Sequence, residues 1–339
     1  MQRPLMDPTF TFDSPAAGFK KRQRLAWLWA VLRFIGRLLV FNPFGRRGSF
    51  RAEEGTRISR FFRGLTYRLA FVPVVLCLFL SALVFAATHP GRSTAGADPL
   101  AFGVYYDPVN FLSDDGAHLD GWLVPVIDAK RVLEEKDNII GKKYPAVVLV
   151  HDFAGSREQL LPLVAPLHKA GIVVLSVNLR GTASLSSEAQ TFGIKEANDV
   201  RAAIEMLRRR PYVDPARVAL VGVGTGANAS LLAARSDPSI QVMVLSSPVD
   251  GFDQAFANRV GPNHVWLPPL RNLFRWTFQV MYGVDTSELN MTNFAGMMQS
   301  KHVFMTDRQA ALLDLTGSAG VQRFLTKHLT EETAAASAR

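Results

Sequence analysis

Between Leu119 and Leu245 the chain repeats one pattern: a short run of Val, Ile, Leu and Ala, then a stretch of helix length. Leu119 to Val126, Ala146 to Val150, Val173 to Val177, Val218 to Val221 and Gln241 to Leu245 read as strands. Gln159 to Lys169, Glu196 to Arg209 and Ala227 to Arg235 read as helices. Strands that are apolar along their whole length are buried on both faces, and the intervening helices supply the crossovers that parallel strands need. The spacing therefore predicts an α/β domain with a mostly parallel sheet and helices on both faces. Ligands in such sheets sit beyond the carboxyl ends of the strands. The loops after Val150, Val177, Val221 and Leu245 are thus the expected site.

A second constraint lies upstream. Leu69 to Ala87 (LAFVPVVLCLFLSALVFAA) has no charged residue and no polar stripe, as expected of a helix crossing a bilayer, which needs ~20 apolar residues. Arg46, Arg47, Arg51, Arg57, Arg60, Arg63 and Arg68 precede it, and Arg92 alone carries positive charge in the 20 residues that follow. The positive-inside rule then puts the N-terminus in the cytoplasm and the body outside it, at a cell inner or plasma membrane. The basic stretch before the apolar run favours an uncleaved signal anchor over a cleaved signal peptide, although Phe85-Ala86-Ala87 resembles a cleavage site. Leu25 to Phe41 is apolar, with Arg33 and Arg37 on one helical face. It reads as a helix in the membrane interface, or as a second span that would bury two arginines at ~2.5–3.5 kcal/mol each. Membrane lipids, met through residues 19–87, are the expected partner.

Charge supports this division. Residues 1–68 hold 14 Lys+Arg against 4 Asp+Glu, and the rest of the chain holds 24 against 25. A near-neutral body argues against nucleic acid as a partner. The mean hydropathy of +0.10 is high for a wholly soluble chain. A single cysteine, Cys77, excludes an internal disulfide and a cysteine-based zinc site, and its apolar neighbours suggest a buried small hydrophobe. No metal or cofactor is expected. The expected organisation is a disordered tail (1–18), a basic amphipathic segment (19–68), a transmembrane helix (69–87), a linker (88–99), an α/β domain (100–330) and a tail (331–339). Residues 251–300 form a cap-like insertion within the domain.

Three blocks carry a family resemblance: AVVLVHDFAGSREQLLPLVAPLHKAGIVVLSVNLRG, GIKEANDVRAAIEMLRRRPYVDPARVALVGVGTGA and VMVLSSP. Over residues 105 to 250 the chain resembles the α/β-hydrolase superfamily, in particular its membrane-anchored and secreted serine esterase and peptidase-like branches. The resemblance implies an α/β-hydrolase fold preceded by a transmembrane helix. It also implies a G-x-S-x-G elbow, in which a serine stands at a sharp strand-to-helix turn between two small residues.

Here the turn reads Gly222-Val223-Gly224-Thr225-Gly226. The two small positions are kept, and glycine stands where the nucleophile belongs, so acyl-enzyme chemistry by the usual route is impossible. Thr225 is a poor substitute, because a shifted register would place Val223 at a crowded small position. No lysine follows the glycines, as a phosphate-binding loop would require. In active members a His-Gly loop after the first parallel strand completes the oxyanion hole. This chain has His151-Asp152-Phe153, with His151 expected to brace the loop. Asp152 either opposes an oxyanion, or points to solvent or caps the next helix. A third departure is Ala183 in the Leu179-Arg180-Gly181-Thr182-Ala183-Ser184 loop. His302 to Thr306 reads as strand seven, which makes Asp307 and Asp314 candidates for the acid. The closing helix holds the remaining candidate base, His328, which is expected at the surface. Phe274, Trp276, Phe278 and Met281 line an apolar pocket, face the membrane or belong to the core.

The sequence thus favours a degenerate hydrolase used for binding or scaffolding. The alternatives are an active hydrolase of ester, lipid or peptide substrates with an unusual nucleophile (Thr225, Ser156 or Ser246), and a structural subunit that binds a protein partner in a membrane complex.

Overall fold

A computed structural model describes residues 57–90, 96–126, 142–182, 188–261, 268–306 and 315–330. Seven strands form one sheet: β1 (Asp107–Leu112), β2 (His118–Val124), β3 (Tyr144–Val150), β4 (Val173–Asn178), β5 (Val213–Val223), β6 (Val242–Ser246) and β7 (His302–Thr306). Their order is β1-β2-β4-β3-β5-β6-β7. β1 pairs with β2 and β2 with β4 antiparallel, and every other pairing is parallel. The predicted sheet is present, and the antiparallel strand β1 adds to it.

Side-chain alternation splits the interior in two. Ala146, Val148 and Val150 of β3 face one layer, made by α3 (Glu196–Arg208) and α4 (Thr225–Ser236). Val147 and Leu149 face the other, made by α2 (Leu161–Lys169) and α8 (Leu315–Thr330). β3 is buried along its whole length, as the unbroken apolar run requires. After β6 come α5 (Gly251–Arg259), α6 (Pro268–Tyr282) and the short α7 (Ala295–Ser300).

α1 (Arg57–Thr88) runs through Pro73 and carries the apolar segment. Among the described residues it is the one helix long and apolar enough to cross a membrane. The chain divides into two units between Leu78 and Phe79, and the unit beginning at Phe79 contains the whole sheet. Leu80, Val84, Ala87 and Thr88, which share one helical face, are buried. Cys77 corrects the expectation of burial: it is exposed on α1. Its neighbours in sequence are apolar, but it precedes the buried turns of the helix.

Candidate active site

The elbow forms where β5 gives way to α4. Gly224 adopts φ 55°, ψ −120°, a conformation that L side chains rarely take. Its N–H donates to the Ser246 carbonyl at 2.8 Å, tying the apex to β6. The flanking glycines have no room for a side chain. A Cβ at Gly222 would stand 2.7 Å from Ala227 Cα, and one at Gly226 would stand 2.7 Å from the Val150 carbonyl and overlap that of His151. The sharp bend of a nucleophile elbow is therefore present in full.

What fills the apex is a carboxylate. A Cβ built on Gly224 would overlap Asp152 Oδ1 and lie 2.5 Å from Oδ2. Oδ1 accepts from the Thr225 N–H at 2.8 Å and from the Phe153 N–H at 2.7 Å. In a working elbow the N–H after the nucleophile and one from the loop after β3 hold the developing oxyanion. Here a side chain of the chain itself takes both positions. Asp152 caps the first turn of α4, where a negative charge is favoured by the helix dipole. It neither points to solvent nor caps the next helix in sequence. Burial pushes its carboxyl above the usual carboxylate range, with the bonds from Thr225 and Phe153 acting against that shift.

Asp152 is held from behind by its neighbours. Its backbone N–H donates to Gln159 Oε1 at 2.8 Å, and the Ala154 N–H to Gln190 Oε1 at 3.0 Å. The buried His151 accepts the Leu179 N–H on Nε2 at 3.1 Å, so a neutral ring carries its proton on Nδ1 and donates it to the Asp152 carbonyl at 2.7 Å. Desolvation pulls the His151 pKa down to about 4. A neutral ring with both nitrogens engaged joins the loops after β3 and β4 and is not placed to act as a base.

The loop after β4 is anchored by Arg180, whose burial was not apparent from the sequence. Its side chain is 1% exposed and pairs with Asp199 at 2.6 Å and Asp115 at 2.8 Å. Its N–H also donates to Asp199, at 2.9 Å. An arginine beside a strand end, with acidic residues to either side in sequence, was the available signal. Ala183 and Ser184 lie outside the described residues.

The remaining candidates are scattered. Thr225 Oγ1 lies 3.4 Å from Asp152 Oδ1. Ser156 is buried at the start of the 3-10 turn Arg157–Leu160. Ser246 is fully buried, and its Oγ has no hydrogen-bond partner among the described residues. Asp307 and Asp314 lie outside the described residues. His328 is partly exposed and stacks on the exposed His302, with ring centroids 4.2 Å apart. His302 opens β7, so the pair sits at the opposite end of the strand from the carboxyl ends that carry the elbow.

Aromatic rings pack beside the plugged elbow. Phe153 stacks on Phe192, and Phe192 on Phe278 of α6, at 5.4 and 5.5 Å. Phe252, Phe256 and Phe274 continue the cluster. Phe274 and Phe278 are thus core residues, whereas Trp276 and Met281 are exposed. Of the readings open for these four residues, core packing holds for Phe274 and Phe278; helical phase turns Trp276 away from them, and Met281, which shares their phase, is exposed one turn further along.

Comparison with known proteins agrees with the fold. The Alpha/beta hydrolase family pattern matches residues 147–335. Protein Rv2307c of Mycobacterium tuberculosis, itself uncharacterized, is 33% identical over 163 residues, 48% of this chain and 50% of its own length. The polyketide transferase ATR5 of Stachybotrys chlorohalonatus is 32% identical over 150 residues, 43% of this chain and 46% of its own. The chain spans about half the length of each of these relatives. An esterase of Pyrococcus furiosus, Pf2001, superposes with a TM-score of 0.51 over 71% of this chain and 97% of its own, at 18% identity, a likeness of fold. With the family pattern matching more than half its length, the chain belongs to the α/β hydrolase family.

Proposed function

We propose that this protein is a membrane-anchored pseudo-hydrolase: an α/β-hydrolase domain that has lost acyl-transfer chemistry and serves in binding or scaffolding. One observation carries the reading. The Asp152 carboxylate lies where the side chain of a nucleophile would emerge from residue 224, and it takes the two N–H groups an oxyanion would need. Two losses coincide, because the apex has no attacking atom and its electrostatic partner is already occupied. Fold alone does not give activity.

The apolar run of α1, with the arginines before it, supports an anchor that leaves the N-terminus in the cytoplasm and the domain outside. The domain then presents its surface, not its elbow, to a partner in the membrane.

The test is covalent labelling. Full-length protein, extracted in mild detergent and treated with a fluorophosphonate, is expected to keep its intact mass, and Gly224→Ser alone is expected to stay unlabelled because Asp152 still fills the site. An adduct on the unaltered chain that disappears in Thr225→Ala would overturn the reading in favour of an active hydrolase.

A further inference from the structure

The last turns of α1 do two things at once. Phe71–Thr88 is the 18-residue segment apolar enough to cross a bilayer. Counted from Leu69, the charge-free stretch measures about 30 Å at ~1.5 Å per residue, no longer than the ~30 Å of a hydrocarbon core, so a crossing uses its whole length. Yet its final part is packed into the globular unit through Leu80, Val84, Ala87 and Thr88. The Thr88 and Tyr282 hydroxyls are 2.6 Å apart, and Arg259 Nε donates to the Ala87 carbonyl at 3.2 Å. The outer face of the same turns stays apolar, with Ala82, Phe85 and Ala86 exposed. Whatever packs on residues 80–88 shares their depth.

Tyr282 is the last residue of α6, whose buried side is Phe274, Thr277 and Phe278. Its opposite side exposes Trp276 (56%) and Val280 (63%), and Met281 (41%) is exposed on the last turn. These large apolar side chains lie on the helix that meets the end of the span. The charges of α6 are held to one flank, where Arg271 and Arg275 pair with Asp253. A helix with an apolar outer stripe, an exposed Trp within it and arginines at its flank is built to lie in a membrane interface.

We propose that α6 is a second membrane contact: its Trp276-Val280 stripe lies in the lipid interface on the side where α1 leaves the bilayer, so the domain is seated in the membrane surface and not tethered above it. This rests on the spanning reading of α1 given above.

The experiment separates the two. In full-length protein carrying Cys77→Ser, single cysteines replace Leu78, Trp276, Val280 or Glu205, the last exposed on α3. Each variant is spin-labelled and reconstituted into phosphatidylcholine–phosphatidylglycerol vesicles, and collision rates with oxygen and with a nickel chelate are compared. We expect the oxygen-to-nickel ratio at 78, 276 and 280 to exceed that at 205 several-fold. Oxygen-favoured behaviour at 78 with either 276 or 280 matching 205 would overturn the proposal and leave the span standing. Nickel-favoured behaviour at 78 would overturn the span, and the proposal with it.

Discussion

Two kinds of glycine stand within five residues of each other at the elbow. Gly222 and Gly226 are confined mainly by backbone: Cα and carbonyl atoms of α4 and β3 occupy the space a side chain would need. Gly224 is confined by one removable side chain, the carboxylate of Asp152. The fold needs the first two, since the close packing of β3, β5 and α4 depends on them. Chemistry would need a serine at the third. An elbow can therefore keep its shape under selection for packing alone after its reactive atom has gone.

The strongest way to break this contrast is at the flank. Gly226→Ala drives a Cβ onto the His151 and Val150 carbonyls, which cannot move without unseating β3, so a loss above ~3 kcal/mol or failure to fold is expected in thermal unfolding. A milder outcome, within ~1 kcal/mol, would mean that the flank is no more constrained than the apex.

Acid should sharpen the contrast through His151, which braces the loop that carries Asp152. Its folded pKa of about 4 lies below the ordinary 6.5. The unfolded chain therefore binds a proton that the folded one refuses, and stability falls as pH drops from about 6.5 to about 4, by up to ~3 kcal/mol. Above 6.5 the group has no effect. Because other groups titrate in this window, the measurement is the difference in unfolding free energy between the parent and His151→Gln across it; parallel curves would refute the assignment.

A smaller effect is expected from the plug itself. Asp152→Ala leaves the Thr225 and Phe153 N–H groups without an acceptor and should cost ~1–3 kcal/mol. Asp152→Asn keeps a carbonyl oxygen there and should cost less. Equal losses in denaturant titrations would show that the two N–H groups do not hold the side chain.

Much of the fold was legible because its signal is local. Unbroken apolar runs marked β3 to β6, and the helices between them had clear periodicity. β1 was missed because Asp107-Pro108-Val109-Asn110 looks like a turn, and a proline is tolerated in that strand because it lies at the sheet edge. β5 begins earlier than its apolar run, at Val213. At the site, the missing serine could be read from one position. The inward turn of Asp152 could not, because it depends on β3 and β5 being neighbours, residues more than 70 apart in sequence. The mixed fate of Phe274, Trp276, Phe278 and Met281 needed the phase of α6 and the point where its packed turns end, since Met281 shares the phase of Phe274 and Phe278 and is exposed.

Asp152 stands where an active elbow carries its nucleophile, and a double-mutant cycle between residues 152 and 224 measures that overlap. Gly224→Ala should destabilise the parent through both its positive φ and the clash with the carboxylate, and in an Asp152→Gly background only the first cost should remain. A favourable coupling of ~1–3 kcal/mol, measured as the difference between the two Gly224→Ala effects, is the predicted result. Additive effects, with coupling within ~0.3 kcal/mol of zero, would contradict it.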